Sequence, residues 1–199
     1  LFNFFLKSLN KIKLHAVYYL LITQKLNSMK KLKLTLLGIL AMTFAFTGCK
    51  EDEPELKNIV ELAQGNANLS ILVQAVVRAG LDDDLAGAGP FTVFAPTDAA
   101  FAALLEELDA SSLADISDET LIAVLKYHVV SGKVLSTSLT DEQVVTPILG
   151  GVGNTFKIDL TGGAKIVDAN GRIANITATD IEASNGVVHV IDKVILPPL

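Results

Sequence analysis

The chain has 199 residues, 50% of them hydrophobic and 19% charged, which suits one globular domain with its own core and excludes a disordered or low-complexity protein. From Cys49 onward, 22 acidic residues stand against nine basic ones, a formal charge of −13, which argues against nucleic acid or the headgroups of anionic lipids as partners. Cys49 is the sole cysteine, so no internal disulfide can form and the domain must be held together by its core.

The first 48 residues carry seven lysines and no acid. Leu1 to Ser28 precede the first methionine and read as an overextended, untranslated start. Met29 to Gly48 read as a secretory signal, with Lys30, Lys31 and Lys33 followed by an apolar run from Leu34 to Thr47, shorter than the ~20 residues of a comfortable membrane span. "FTGC", ending at Cys49, resembles the lipobox of bacterial lipoproteins, although Phe46 stands where leucine is usual. That resemblance implies an acylated Cys49 and a membrane contact made by the lipid alone. Residues 49–57 form a charged tether, and "CKEDE" resembles the acidic tag that sends some lipoproteins to the outer surface. The expected location is therefore the cell envelope, at the outer membrane, facing either the cell surface or the periplasm.

Helices open the remaining 58–199. Leu56, Ile59, Val60, Leu62 and Ala63 recur at helical spacing, and a second helix takes Asn66 or Asn68 as its cap, Leu69, Leu72, Val73, Val76 and Val77 as its face, and Gly80 as its stop. Asp82 to Asp84 are adjacent where a calcium loop needs alternating acids, so they are read as helix-capping residues. Phe91 to Ala95 form a buried strand including Phe94. Pro96 ends it, Thr97 caps the next helix with Asp98 in its first turn, and Ala99 to Leu108, including Phe101, pack against the strand. A further helix from Ser117 or Asp118 carries Leu121, Val124, Leu125 and His128 and ends before "SGK". Strands then follow at Val134–Leu135, Val144–Thr146, Thr155–Leu160, Lys165–Val167, Ile173–Ala178 and Val187–Ile195, with Thr179 to Gly186 a joining segment at the rim. Helices followed by strands make an α+β domain.

These pieces resemble the fasciclin (FAS1) domain in three places: "FTVFAPTDAAF" at Phe91–Phe101, the Tyr127–His128 pair in "LKYHVVSGKV", and "NGVVHVIDKVILPP" from Asn185. The resemblance runs from about Asn58 to Leu199. It implies a wedge-shaped β-sandwich flanked by N-terminal helices, and adhesion or matrix association through protein or glycan partners without catalysis or cofactor. It also implies a contact role for Tyr127, His128, Asp180 and Ile181, the positions to which integrin contacts of animal members correspond.

No catalytic fingerprint is recognisable in the sequence, and no metal site is expected. His128 and His189 could in principle serve zinc or proton transfer. His189 between Val188 and Val190 reads instead as a structural hydrogen-bonding residue, and His128 as a buried one with Asp98 a candidate partner. A structural envelope lipoprotein without a ligand, and a cryptic hydrolase, are the alternatives to an adhesive module.

Overall fold

The structure, a computed structural model, describes residues 55–198. The leader, Cys49 and most of the tether lie outside the described residues. Within them, α1 (Ile59–Gln64), α2 (Ser70–Arg78) and α3 (Asp82–Ala86) precede β1 (Phe91–Pro96). Next come α4 (Asp98–Glu107), α5 (Asp118–Tyr127) and β2 (Val129–Ser131). The chain closes with β3 (Val144–Val145), β4 (Phe156–Asp159), β5 (Lys165–Val167), β6 (Ile173–Ala183) and β7 (Gly186–Ile191).

The helix starts follow local side-chain chemistry. Asn58 and Glu61 form a capping box on α1, and Asn66 caps a single 3-10 turn, Ala67–Leu69, that runs into α2. Gly80 then takes φ of +64°, the left-handed conformation that ends helices. Asp82, Asp83 and Asp84 occupy the first turn of α3, beside the positive end of its dipole. Thr97 and Ser117 cap α4 and α5 through their hydroxyls.

The strands form one sheet in the order β2-β1-β7-β6-β5-β4-β3. β1 and β7 are parallel, and every other neighbouring pair is antiparallel. β6 belongs to both halves: Ile173 to Asn175 pair with β5, while Ile176 to Ala183 pair with β7 across two register shifts. Such shifts bend a strand and increase its twist, so the half containing β3, β4 and β5 folds over the half containing β1 and β7. The core between the halves holds Phe94, Tyr127, Phe156, Ile158, Ile166 and Ile191. A second core lies on the other side of β1 and β7, where Val93, Ala95 and Val188 meet Leu72, Val76, Phe101 and Leu125 of the helices. With both faces covered, β1 and β7 have near-continuous apolar sequences. The architecture is α+β, with a folded-over sheet flanked by helices.

The structure revises several element boundaries. α5 ends at Tyr127, and Val129 and Val130, read as the tail of that helix, pair with β1 as part of β2, which runs to Ser131. Val134–Leu135 is no strand, because this segment is held by side chains and not by a ladder. β6 continues through Ala183 and turns at Ser184–Asn185, so most of the expected joining segment is strand. β7 stops at Ile191, although Val194 and Ile195 beyond it are fully buried.

Candidate functional site

The residues singled out by sequence separate into two buried clusters, one at the end of α5 and one across the outer part of β6. In the first, Tyr127 is fully buried. Its hydroxyl donates to the Thr155 carbonyl at 2.7 Å and accepts from the Ala169 N–H at 3.3 Å, while its ring meets Phe156 edge-on. Burial pushes its pKa up to about 12. Tyr127 is therefore enclosed, with its large ring filling the core between the sheet halves, and in this structure it presents no surface for the contact role that the family resemblance implies.

His128 is buried beside it. Its Nδ1 lies 2.7 Å from the Val124 carbonyl, so Nδ1–H donates there, and Nε2 accepts from the Ile195 N–H at 3.2 Å. The ring is thus fixed as one neutral tautomer, and burial lowers its pKa to about 4. Asp98 is not its partner. That carboxylate accepts from the Ser70 hydroxyl and the Ile71 N–H at 2.6 and 2.8 Å, tying the start of α4 to the start of α2. Asp168, which sequence reasoning missed, completes the cluster: its buried carboxylate accepts from the N–H groups of Asn170, Arg172 and Leu196. Its signal was the acid heading "DANGR", where a carboxylate organises the following turn.

In the second cluster Thr92, His189 and Asp180 clamp the segment that leaves β2. The Thr92 hydroxyl donates to the Gly132 carbonyl at 2.6 Å and accepts from the Val134 N–H at 2.9 Å. His189 is fully buried and stacked on Phe94, with centroids 5.4 Å apart. Its Nε2–H donates to the Val134 carbonyl at 2.9 Å, and its Nδ1 accepts from the Asp180 N–H at 3.2 Å. Asp180 has φ of +57°, and its carboxylate accepts from the Ser136 N–H at 2.8 Å and from the Ser136 hydroxyl. Those two hydrogen bonds hold its pKa below the usual carboxylate range. Ile181 is half-buried, packs against the helix-side core and pairs with Val188.

Phe94, Pro96 and Phe101 are buried, and Thr97 caps α4. The first and last quoted motifs therefore meet as adjacent strands, with His189 opposite Phe94 in the register. His128 and His189 share no hydrogen-bond partner, and each has one ring nitrogen donating and one accepting. Thr177, Ala178 and Thr179 on one side of Asp180 along the strand, and Glu182 on the other, are exposed.

Comparison with known proteins accounts for this arrangement. Protein sll1483 of Synechocystis sp. is 44% identical over 141 residues, 71% of this chain and 74% of that protein. A second Synechocystis protein, sll1735, is 41% identical over 141 residues, covering 71% of this chain and 98% of its own length. Human periostin is 30% identical over 142 residues, which cover 70% of this chain and 16% of periostin. Among solved structures, a FAS1 domain pair from the insect cell adhesion molecule fasciclin I aligns with a TM-score of 0.59 at 16% identity, over 73% of this chain and 51% of the pair. The fasciclin domain family matches residues 67–197; the chain belongs to that family.

Proposed function

We propose that the chain is a non-enzymatic extracytoplasmic module that binds protein or glycan partners at the cell surface or in the matrix, held to the envelope by a lipid on Cys49. The observation that carries this reading is membership of the fasciclin family, together with a fold shared with a domain pair from a cell adhesion molecule. The non-catalytic part is supported by His128 and His189, the histidines among the described residues, whose ring nitrogens are all engaged in structural hydrogen bonds and so are not free to act as a general base. The anchoring part rests on the lysine-rich leader and "FTGC". In this reading residues 29–48 are removed, 49–57 tether the domain, and 58–199 do the binding. With Tyr127 and His128 in the core, the contact surface is the exposed stretch Thr177–Thr179 with Asp180 at its end.

Two measurements test it. Cys49→Ser should move the protein from the membrane fraction to the soluble fraction, and intact mass should show acyl chains on Cys49 of the native protein. An unmodified cysteine, or any residue upstream of it in the mature protein, ends the anchoring reading. Binding of the native protein to envelope glycans and surface proteins should fall at least tenfold in Thr179→Arg with an unchanged melting curve. Equal binding by the variant moves the contact surface elsewhere.

A further inference from the structure

The two short edge strands of the sheet, β2 and β3, approach one another across a seam where the Ile148 N–H donates to the Val129 carbonyl at 2.8 Å. Under that seam lies a cavity of about 190 Å³. Its floor is Phe94, Val130, Leu139 and Val145, none more than 9% exposed, with Val134 beside them. Its mouth is Gln143, Val144 and Thr146, and Val144 is 57% exposed there.

Size and chemistry narrow what fits. An apolar cavity of about 150 Å³ in another protein stays dry and takes up benzene, so this one has room for a six-membered ring with a substituent. The floor is poor in partners for water, which needs two to four polar neighbours, because the Thr92 hydroxyl is already bonded to Gly132 and Val134. At the mouth, Gln143 Oε1 accepts from the Thr140 N–H and hydroxyl at 2.9 and 3.3 Å. Its Nε2 donates to no group among the described residues, so a residue lining this apolar hole carries a free amide NH2 group. Asp141 and Glu142 directly precede Gln143, so the local charge disfavours an anionic ligand.

We propose that this seam cavity is a binding site for a small neutral aromatic ring carrying one oxygen acceptor, with the ring among Phe94, Val130, Leu139 and Val145 and the oxygen toward Gln143 Nε2. The inference rests on the cavity alone and stands whether or not the adhesive reading does.

Titration of the methyl-labelled full-length chain with p-cresol and with toluene tests it. p-Cresol should produce saturable resonance shifts at Val130, Val134, Leu139 and Val145 and raise the melting temperature. Toluene should bind the same site about fivefold more weakly, the value of one net hydrogen bond. Gln143→Glu keeps the acceptor for Thr140 and removes the amide donor, so it should bring p-cresol down to the toluene level and leave toluene unchanged. Val134→Phe should fill the cavity and abolish both; if that variant fails to fold, the milder Val145→Leu should weaken both. Absence of saturable shifts at these methyls for either compound overturns the site, as does binding that persists in a folded, filled variant. Equal binding of p-cresol and toluene overturns the role of Gln143.

Discussion

His128 shows how a residue with an obvious chemical reading can be committed to architecture. Its pKa falls from 6.5 to about 4 because the ring is buried, so the unfolded chain binds a proton that the folded chain refuses over that interval. Stability is therefore fully present above pH 6.5 and declines as pH falls toward 4, by roughly 3 kcal/mol across the window. Asp180 acts in the same direction but lower, because its pKa is already depressed below the usual carboxylate range. Urea unfolding at pH 7 and pH 4.5 measures the effect. His128→Gln should lose about 1–3 kcal/mol at pH 7 and show a flatter decline between the two pH values, whereas a decline as steep as the parent's would assign the titration to another group. The buried character of His128 and His189 was legible from their apolar neighbours. Their partners were not: Ile195 and Val134 lie 67 and 55 residues along the chain from the rings they meet, Asp180 reaches His189 only through the irregular β6–β7 pairing, and short-range patterning carries no information about such pairings.

Among the elements, β6 is the least readable from sequence and the most consequential. Alternation fails through "ITATDIEA" because the strand changes partner at Asn175 and shifts register twice, so a period-2 pattern ends at Ala178 while the strand goes on. Val129 and Val130 misled in the opposite way: following α5 without a glycine, they continue its apolar face, although β-branched residues there favour the ladder with β1. By contrast the strand-to-helix turn of the joint Phe91–Phe101 was legible, since the proline and the capping threonine each act within one turn of their own position, whereas the link from Asp98 to Ser70 and Ile71 was not. The bend at Asp180 gives a graded test. Asp180→Asn retains tolerance of the left-handed conformation and one carbonyl oxygen for Ser136, so it should cost about 1 kcal/mol or less. Asp180→Val loses both the hydrogen bonds and that tolerance and should cost about 2–4 kcal/mol. Chemical unfolding of the pair checks the order; equal losses would mean that the backbone conformation contributes nothing.

At the scale of the whole molecule, the parallel contact of β1 with β7 joins the helical half to the strand half. Gly186 makes that contact possible: a Cβ at this position would collide with the Phe91 carbonyl, at the first pair of the β1–β7 register. Gly186→Ala should therefore destabilise the domain by about 4 kcal/mol or more, far beyond the ~1 kcal/mol of a routine glycine-to-alanine change in a strand. A melting temperature within a few degrees of the parent would show that the two strands can move apart at little cost. The same feature governs when folding can happen. A strand near the start of the domain has its parallel neighbour in the last strand described, so the central pairing must await nearly the whole domain and close a long loop. While the ribosome is still adding residues, the helices and β1 lack the surface that buries them, and the nascent polypeptide stays pliable. That is the condition in which a secretory channel can thread a chain, and for a chain exported as proposed above, the release of β7 on the far side of the membrane would be the event that commits it to its final shape.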